Sequence, residues 1–454
     1  MRLTLSLSNV LVVKDAPEGI DRWLTDTLRF PNPKWVENER MGRWNRGTPK
    51  ELRYFRRLKS GALRIPRGFI RPLIEECRRQ KIPYEIDDRR RLLPPTSVTF
   101  SGTLRPFQRQ AAEKLLSRDF GTLSAPTGSG KTVIALYLIA KRRQPALVVV
   151  HTKDLAFQWI ERIEQFLGID PSEVGLVGGG KNRMGDRITV ALVQSLYNRK
   201  SAIARQVGFL LVDECHRTPS RTFTDAVTAF DARYMLGLSA TPWRRDNLSK
   251  LIFWHLGNVH HTVSKKRLVA TGDVLPAEVI VRETGFRPYF DPVSEYTRML
   301  SELAMDKERN LLIVDDVADE CDRGNGVCLV LSDRKAHCDT LRTLLRYRCR
   351  IEAEVLTGDL SGAERRAVLE RIRGGGVKVL VATGQLIGEG FDCPDLSTLF
   401  LATPVRFSGR LLQYLGRVLR PAPGKETARV FDYVDVHVDT LVKAAKARRR
   451  VYEG

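Results

Sequence analysis

The chain has 454 residues, 43% of them hydrophobic, enough for the sizeable cores of two to four domains and ordinary for a soluble globular protein. Lys and Arg number 75 against 53 Asp and Glu, a formal charge of +22, and such an excess points to a polyanionic partner, most often nucleic acid. No apolar run approaches the roughly 20 residues of a membrane span, so no membrane partner is expected, and seven scattered cysteines without a Cys-x-x-Cys pair argue against a zinc ribbon or a disulfide framework and for a reducing, cytoplasmic compartment.

The first stretch, MRLTLSLSNVLVV, alternates like a β-strand and lacks the apolar core of a signal peptide. Residues 1–100 hold 22 Lys and Arg against 12 Asp and Glu. Aromatics are interleaved with them: Trp23, Phe30, Trp35, Trp44, Tyr54, Phe55 and Phe69. The favoured reading gives these rings to the core of a small basic α+β domain. Its Arg-rich surface is the better candidate for DNA, because phosphate contacts need only exposed cations. RRRLLPPTS, Arg89 to Ser97, reads as a linker because paired prolines block both a helix and a central strand.

From Phe100 the texture becomes α/β. RPFQRQAAEKLLS has apolar residues at helical spacing, PALVVVHT reads as a buried strand, and Leu155, Trp159, Ile163 and Phe166 mark one face of an amphipathic helix. ITVALVQS, FLLVDE and YMLGLSATP are further short apolar runs. A second series begins near Val327 with VCLVLSDRKAH, KVLVATGQL, TLFLATP and ARVFDYVD as strands, and ERRAVLERIRG and GRLLQYLGRVLR as helices. Continuous apolar strands alternating with helices predict parallel sheets covered on both faces. The tail KAAKARRRVYEG reads as a basic helix or a frayed end.

APTGSGKT, Ala125 to Thr132, follows a short strand and opens an apolar helix, the context a phosphate-binding loop needs. Its first position is Ala instead of the Gly of the strict pattern. Thr127, Gly128, Ser129 and Gly130 would wrap the phosphates, Lys131 would reach the β- and γ-phosphates, and Thr132 would hold Mg²⁺. FLLVDECH then places Asp213 and Glu214 at the carboxyl end of a buried strand, where ligands of open α/β sheets bind. An Asp there can hold Mg²⁺, and the next Glu can position and deprotonate an attacking water. Cys215 and His216 are too few for a zinc site and too local for a thiol nucleophile with its base; Cys215 reads as a small, half-buried filler.

These motifs resemble those of superfamily 2 helicases and translocases with a DExH-type box, written here DECH, over Thr103 to Val434 and in the family's order. The resemblance implies two tandem RecA-like domains facing each other across a cleft that binds ATP and Mg²⁺. LRPFQRQ resembles the adenine-reading segment, with Arg105 and Gln108 as candidate base contacts. VVHTKDLAFQW, ALVQSL, VLTGDLSGAERR and VATGQLIGEGFDCP resemble strand-contacting motifs, implying roles for His151, Thr152, Lys153, Gln194, Thr357, Gly358 and Thr383. Gly390 and Asp392 are implied to meet the nucleotide, and Ser239, Ala240 and Thr241 to couple hydrolysis to movement. QYLGRVLRP resembles the arginine-finger helix; Gln413, Arg417 and Arg420 are spaced to share one helix face, and an arginine can stabilise charge on a γ-phosphate. His216 is implied to face Ser239, Thr241 and Gln413.

SATPWRRD after a basic N-terminal segment is similar to the XPB-like and phage UvsW-like branch. The segment NPKWVENERMGRW…PKELRYF…LRIPRGF is similar to that branch's substrate-recognition module. The expected organisation is a DNA-recognition domain over 1–96, an ATP-binding RecA-like domain over 97–250 and a second RecA-like domain over 251–454. The expected activity is ATP-dependent movement on, and unwinding or remodelling of, single-stranded, forked, branched or duplex DNA, 3′ to 5′ by resemblance. DNA repair or recombination would be its setting, beside the nucleoid of a bacterium or in phage infection. The alternatives are an RNA or RNA–DNA hybrid helicase and a nucleic-acid-binding subunit of a larger defence or repair assembly.

Overall fold

The computed structural model describes residues 2–217, 221–240, 248–324, 326–388, 393, 395–405, 408–422 and 424–453. The chain divides into two compact units, residues 1–125 with 130–262 and residues 126–129 with 263–454.

In the first unit, the alternating N-terminal stretch folds back on itself. β1 (Leu3–Leu7) and β2 (Leu11–Lys14) form an antiparallel hairpin whose Leu3, Leu5, Leu11 and Val13 are buried. β3 (Arg29–Pro31) and β4 (Glu51–Arg53) pair as a separate ribbon. β5 (Arg56–Arg57), β6 (Leu63–Ile65) and β7 (Tyr84–Asp88) complete a five-stranded sheet in the order β5-β6-β2-β1-β7. Helices Glu18–Thr27 and Ile70–Arg79 bury Ile20, Leu24, Leu73 and Cys77.

Trp23, Phe30, Tyr54, Phe55 and Phe69 belong to or pack against this core, as the aromatic pattern suggests. Trp44 does not: it is 84% exposed. Nor is the core self-contained. Leu251 and Trp254, from helix Ser249–Leu256, are part of the same buried cluster. The Trp254 ring meets Phe30, Tyr54 and Phe69 edge-on at centroid distances of 5.8, 5.6 and 5.9 Å. Gly68 permits the approach, because a Cβ there would stand 2.4 Å from the Phe253 carbonyl oxygen. The buried Arg67 donates to the carbonyls of Phe230 and Ala232 at 3.3 and 3.0 Å.

Arg89–Ser97 is irregular, as its prolines require, yet it is pinned along its length. Arg91 bonds both oxygens of Asp231 at 3.0 and 2.8 Å. The Gln144 amide satisfies both backbone groups of Leu93 at 2.8 and 2.9 Å, and Thr96 N–H reaches Arg143 O at 2.8 Å. Side chains outside the segment supply the anchoring, so its own composition did not reveal it.

The larger sheet of this unit has β8 (Phe120–Ser124), β9 (Ala146–Val150), β10 (Gly175–Gly178), β11 (Lys181–Arg183), β12 (Ile188–Leu192), β13 (Phe209–Val212), β14 (Tyr234–Ser239) and β15 (Val259–Thr262). Their order is β11-β10-β12-β9-β13-β14-β8-β15, parallel except for the β10–β11 hairpin. β9, β12 and β13 are buried at every position, the pattern of strands covered on both faces.

The second unit is built on an all-parallel sheet of β16 (Ala277–Thr284), β17 (Val327–Ser332), β18 (Ala353–Leu356), β19 (Val379–Thr383), β20 (Leu396–Leu401) and β21 (Ala428–Asp435), ordered β16-β21-β20-β17-β19-β18. Its buried charges are mated. Arg309 donates to Asp435 at 2.8 Å, and Asp435 also accepts from Thr284 at 2.6 Å. The basic tail is a helix, Asp439–Glu453, anchored by the buried Arg448, whose Nε lies 2.9 Å from both oxygens of Asp432. The α/β class read from the sequence holds. Among the described residues no helix is long and apolar enough to cross a membrane.

Trp254, on the helix that follows β14, packs inside the core of the small sheet. Trp254→Ala should lower the stability of the first unit by about 3–5 kcal/mol, as removal of a buried large aromatic does. Denaturant unfolding monitored by tryptophan fluorescence would read this; an unchanged midpoint would show that the N-terminal core closes without it.

Candidate active site

β8 ends in buried residues, and helix Lys131–Arg142 begins seven residues later. Between them, Gly128 and Gly130 have φ of 87° and 78°, a backbone that side chains strain. A Cβ at Gly130 would also stand 2.4 Å from Gln108 Nε2. The absence of a side chain therefore lets the buried Gln108 amide lie against the loop, while Gln108 Oε1 accepts the Arg105 N–H at 3.0 Å. Ser129 is buried and donates to Pro126 O at 2.7 Å. Lys131 Nζ donates to Ala125 O at 3.2 Å, and Thr132 is half-buried in the first turn, where the positive end of the helix favours an anion.

β13 is four buried apolar residues, and Asp213 follows it, buried. Its Oδ2 accepts the Trp159 indole N–H at 2.9 Å, and its Oδ1 accepts the Glu214 backbone N–H at 2.9 Å. Burial, and then the charge of Glu214, push the Asp213 carboxyl above the ordinary carboxylate range, against the pull of Trp159 and Lys131. Glu214 has φ of 47°, in the left-handed region, which costs on the order of 1–3 kcal/mol for a non-glycine residue. His216 Nδ1 lies 3.1 Å from Glu214 Oε2 and 3.2 Å from Ser239 Oγ. Ser239 ends β14, and its carbonyl accepts the Ala125 N–H at 3.0 Å. The adjacent strands β13, β14 and β8 thus bring the DECH residues, Ser239 and the start of the phosphate loop to one sheet edge. Ala240 follows directly.

Cys215 is fully buried, not half-buried, because Gly237 leaves room for it: a Cβ there would stand 3.1 Å from the sulfur. Burial, together with the Glu214 and Asp213 carboxylates, holds its thiol well above its usual range, which removes it as a nucleophile.

The expected strand contacts also fall at carboxyl ends of strands. His151 and Lys153 follow β9, Lys153 exposed; Thr152 caps helix Lys153–Leu167 by accepting the Leu155 N–H at 3.3 Å. Gln194 is exposed on helix Val193–Tyr197, directly after β12. In the second unit Thr357 is buried just past β18, Gly358 beside it is exposed, and Thr383 ends β19. Gln413 and Arg417 lie on helix Ser408–Val418, but Arg420 lies beyond its end. Pro421 accounts for this, since a residue before proline avoids the helical region. Thr241, Gly390 and Asp392 fall outside the described residues.

Trp159 was legible only as an apolar helix position. Its role as a hydrogen-bond donor to Asp213 depends on a contact 54 residues away. Among the described residues no group of three or more His, Cys, Asp or Glu side chains could hold a metal by itself. Mg²⁺ is commonly held by one carboxylate, a hydroxyl, water and nucleotide phosphates. A buried carboxyl raised by its surroundings, beside a loop shaped for phosphate, fits such a shared cation.

Residues 101–244 match the family described as type III restriction enzyme, res subunit, and residues 310–422 match the helicase conserved C-terminal domain. A putative ATP-dependent RNA helicase of Acanthamoeba polyphaga mimivirus is 27% identical over 379 residues, 79% of this chain and 69% of the relative. The DNA 3'-5' translocase XPB2 of Sulfurisphaera tokodaii is 28% identical over 349 residues, 70% and 78% of the two chains. The helicase domain of Pyrococcus furiosus Hef superposes with a TM-score of 0.51 at 16% identity, covering 76% of this chain and 98% of that one, which places the two parallel sheets in the RecA-like fold.

Two outcomes are expected at this site. Trp159→Phe keeps an aromatic ring and removes the donor; the Mg²⁺ concentration giving half-maximal ATP hydrolysis should rise about 10-fold, as with lost support of a metal ligand. An unchanged requirement would mean that the indole only packs. Because the Asp213 carboxyl is raised, protons compete with the cation at higher pH than at an ordinary Asp. Calorimetric binding of Mg²⁺–nucleotide should therefore begin to weaken, as pH falls, before the ordinary Asp range is reached, and pH-independent binding down to that range would contradict this.

Proposed function

We propose that this superfamily 2 ATP-dependent DNA helicase or translocase of XPB-like type moves 3′ to 5′ and acts on forked or branched DNA. The observation that carries the reading is the convergence of the start of the phosphate loop, Asp213, Glu214, His216 and Ser239 at the carboxyl ends of three adjacent strands. The direction rests on the translocase relative's name.

In this reading Lys131 leaves the Ala125 carbonyl to meet the β- and γ-phosphates, and backbone N–H groups of residues 127–132 hold the remaining phosphate oxygens. Thr132 and Asp213 would hold Mg²⁺, which would supply charge neutralisation at the phosphates. Glu214 orients the attacking water and takes its proton. Arg417 and Arg420 are the candidates for stabilising charge on the γ-phosphate, and Gln108 with Arg105 for recognising the base. His216 lies between Glu214 and Ser239, so a change at the carboxylate alters its bond to the coupling motif. His151, Thr152, Lys153, Gln194, Thr357, Gly358 and Thr383 contact strand phosphates, with little preference for sequence. The basic N-terminal domain supplies further cations. Seven cysteines outside any disulfide suit a cytoplasmic setting.

Single-stranded or forked DNA should raise ATP turnover by about 10-fold or more, and Lys131→Ala or Glu214→Gln should remove most of that turnover. Stimulation by RNA and not by DNA would overturn the choice of polymer. DNA affinity should fall steeply between low and physiological salt. His216→Ala should lower DNA-stimulated turnover more than it lowers ATP affinity; equal losses in both would place His216 in nucleotide binding instead. The N-terminal domain is best tested by surface substitutions, because its truncation would strip Leu251 and Trp254 of their cover.

A further inference from the structure

The N-terminal domain holds one feature that its own folding does not explain. Between helix Pro33–Arg40 and β4, the loop of residues 41–50 presents Trp44 with 84% of its surface exposed. The ring is not outside because the loop is loose. Arg43 N–H donates to Asn38 O at 2.8 Å, and Asn38 Nδ2 to Asn45 Oδ1 at 3.0 Å. Asn45 Nδ2 reaches Trp35 O at 3.2 Å, and Asn32 Nδ2 reaches Pro49 O at 2.9 Å. Asn32 thus fastens the loop's far end while its Oδ1 caps the helix, accepting the Lys34 N–H at 3.1 Å. These bonds on both sides of Trp44 hold the backbone while the indole faces water. An ordered, exposed tryptophan has the large rigid face that suits a binding anchor, and its ordering is complete before a ligand arrives.

The surroundings indicate what that ligand is. Lys34 to Lys50 contains five cations, Lys34, Arg40, Arg43, Arg46 and Lys50, and two carboxylates, Glu37 and Glu39. Arg40, Arg43, Arg46 and Lys50 are all exposed. The Arg46 guanidinium lies 5.8 Å from the Trp44 ring centroid, and Lys50 Nζ lies 5.2 Å from that of Trp35. Aromatic faces with cations beside them are how proteins hold a single strand: bases stack on the rings and phosphates meet the cations. In a continuous duplex each base face is already stacked on its neighbours, so a free indole selects unpaired bases.

We infer that Trp44 is a stacking platform for an unpaired DNA base where a strand leaves the duplex, with Arg43 and Arg46 on the flanking phosphates. This rests on the DNA-motor reading above and adds to it the point at which the N-terminal domain would recognise a fork.

The test uses the full chain and fluorescein-labelled DNA, forked or blunt, in an anisotropy titration at constant salt. Trp44→Ala should weaken binding of the fork by roughly 5- to 100-fold, the range for one lost base–aromatic stack. The blunt duplex should change by less than about twofold, and Trp44→Tyr should restore the fork affinity to within about threefold. Arg46→Ala should lower the slope of log affinity against log salt by about one, a readout that Trp44→Ala leaves alone. Thermal unfolding like the wild type's would confirm that the exposed site is not structural. Unchanged fork affinity in Trp44→Ala, or an equal loss on fork and blunt duplex, would overturn the inference. If the wild type binds neither DNA, the motor reading fails; if it binds the fork and Trp44→Ala binds it equally well, only this platform fails, and a protein partner for the patch becomes the next reading.

Discussion

A buried carboxylate needs hydrogen-bond donors, and that requirement shapes the site around Asp213. A central parallel strand must be apolar on both faces, so β13 meets its first polar residue only where it leaves the sheet, already shielded from water. Asp213 there must find donors inside the protein. It finds the Trp159 indole and the Glu214 amide, one for each oxygen. Glu214 itself lies in the left-handed region, where the chain turns at the end of the strand. Beyond that turn, His216 lies 3.1 Å from Glu214 and 3.2 Å from Ser239, which sets carboxylate, imidazole and hydroxyl side by side.

The N-terminal domain is coupled to that arrangement by covalent and packed neighbours. β14 ends at Ser239, and helix Ser249–Leu256 follows a few residues later with Leu251 and Trp254 inside the N-terminal core. At the other end of the strand, Arg67 bonds the carbonyls of Phe230 and Ala232, just before β14 begins. β3 and β4, which carry the Trp44 loop between them, are those whose Phe30 and Tyr54 pack on Trp254. The Trp44 loop and β14 therefore belong to one packed body, joined through helix Ser249–Leu256.

The sequence made legible what depends on local pattern. The apolar runs gave the parallel strands, the glycines gave the phosphate loop, and the first polar residues after FLLV gave the carboxylates. Three features escaped, the first two because they are long-range contacts. Trp159 has the spacing of a core residue and is one; its indole hydrogen bond depends on a strand far along the chain. Arg89–Ser97 has the composition of a linker, and only the positions of Asp231 and Gln144 show that it is pinned. Arg420 matched helical spacing from Gln413, but the proline after it outweighed the period. The seven N-terminal aromatics were alike in sequence, and only the tertiary structure separates those that fill the core from Trp44.

That separation shows which breaches of ordinary burial rules bear on function. Arg448 and Arg309 are buried charges, a breach on their own, but Asp432 and Asp435 answer them with direct hydrogen bonds, so each is explained within the fold. Trp44 breaches the opposite rule, since a large apolar ring is held in water by a loop ordered through Asn32, Asn38 and Asn45. Turning it inward would bury the kind of surface whose removal from water stabilises a fold. The hydrogen bonds of the loop instead keep it out. A fold that spends order on exposing an aromatic ring among cations has placed the compensating partner outside the chain, and stacking on a base with cations at the phosphates is the chemistry that answers both features at once.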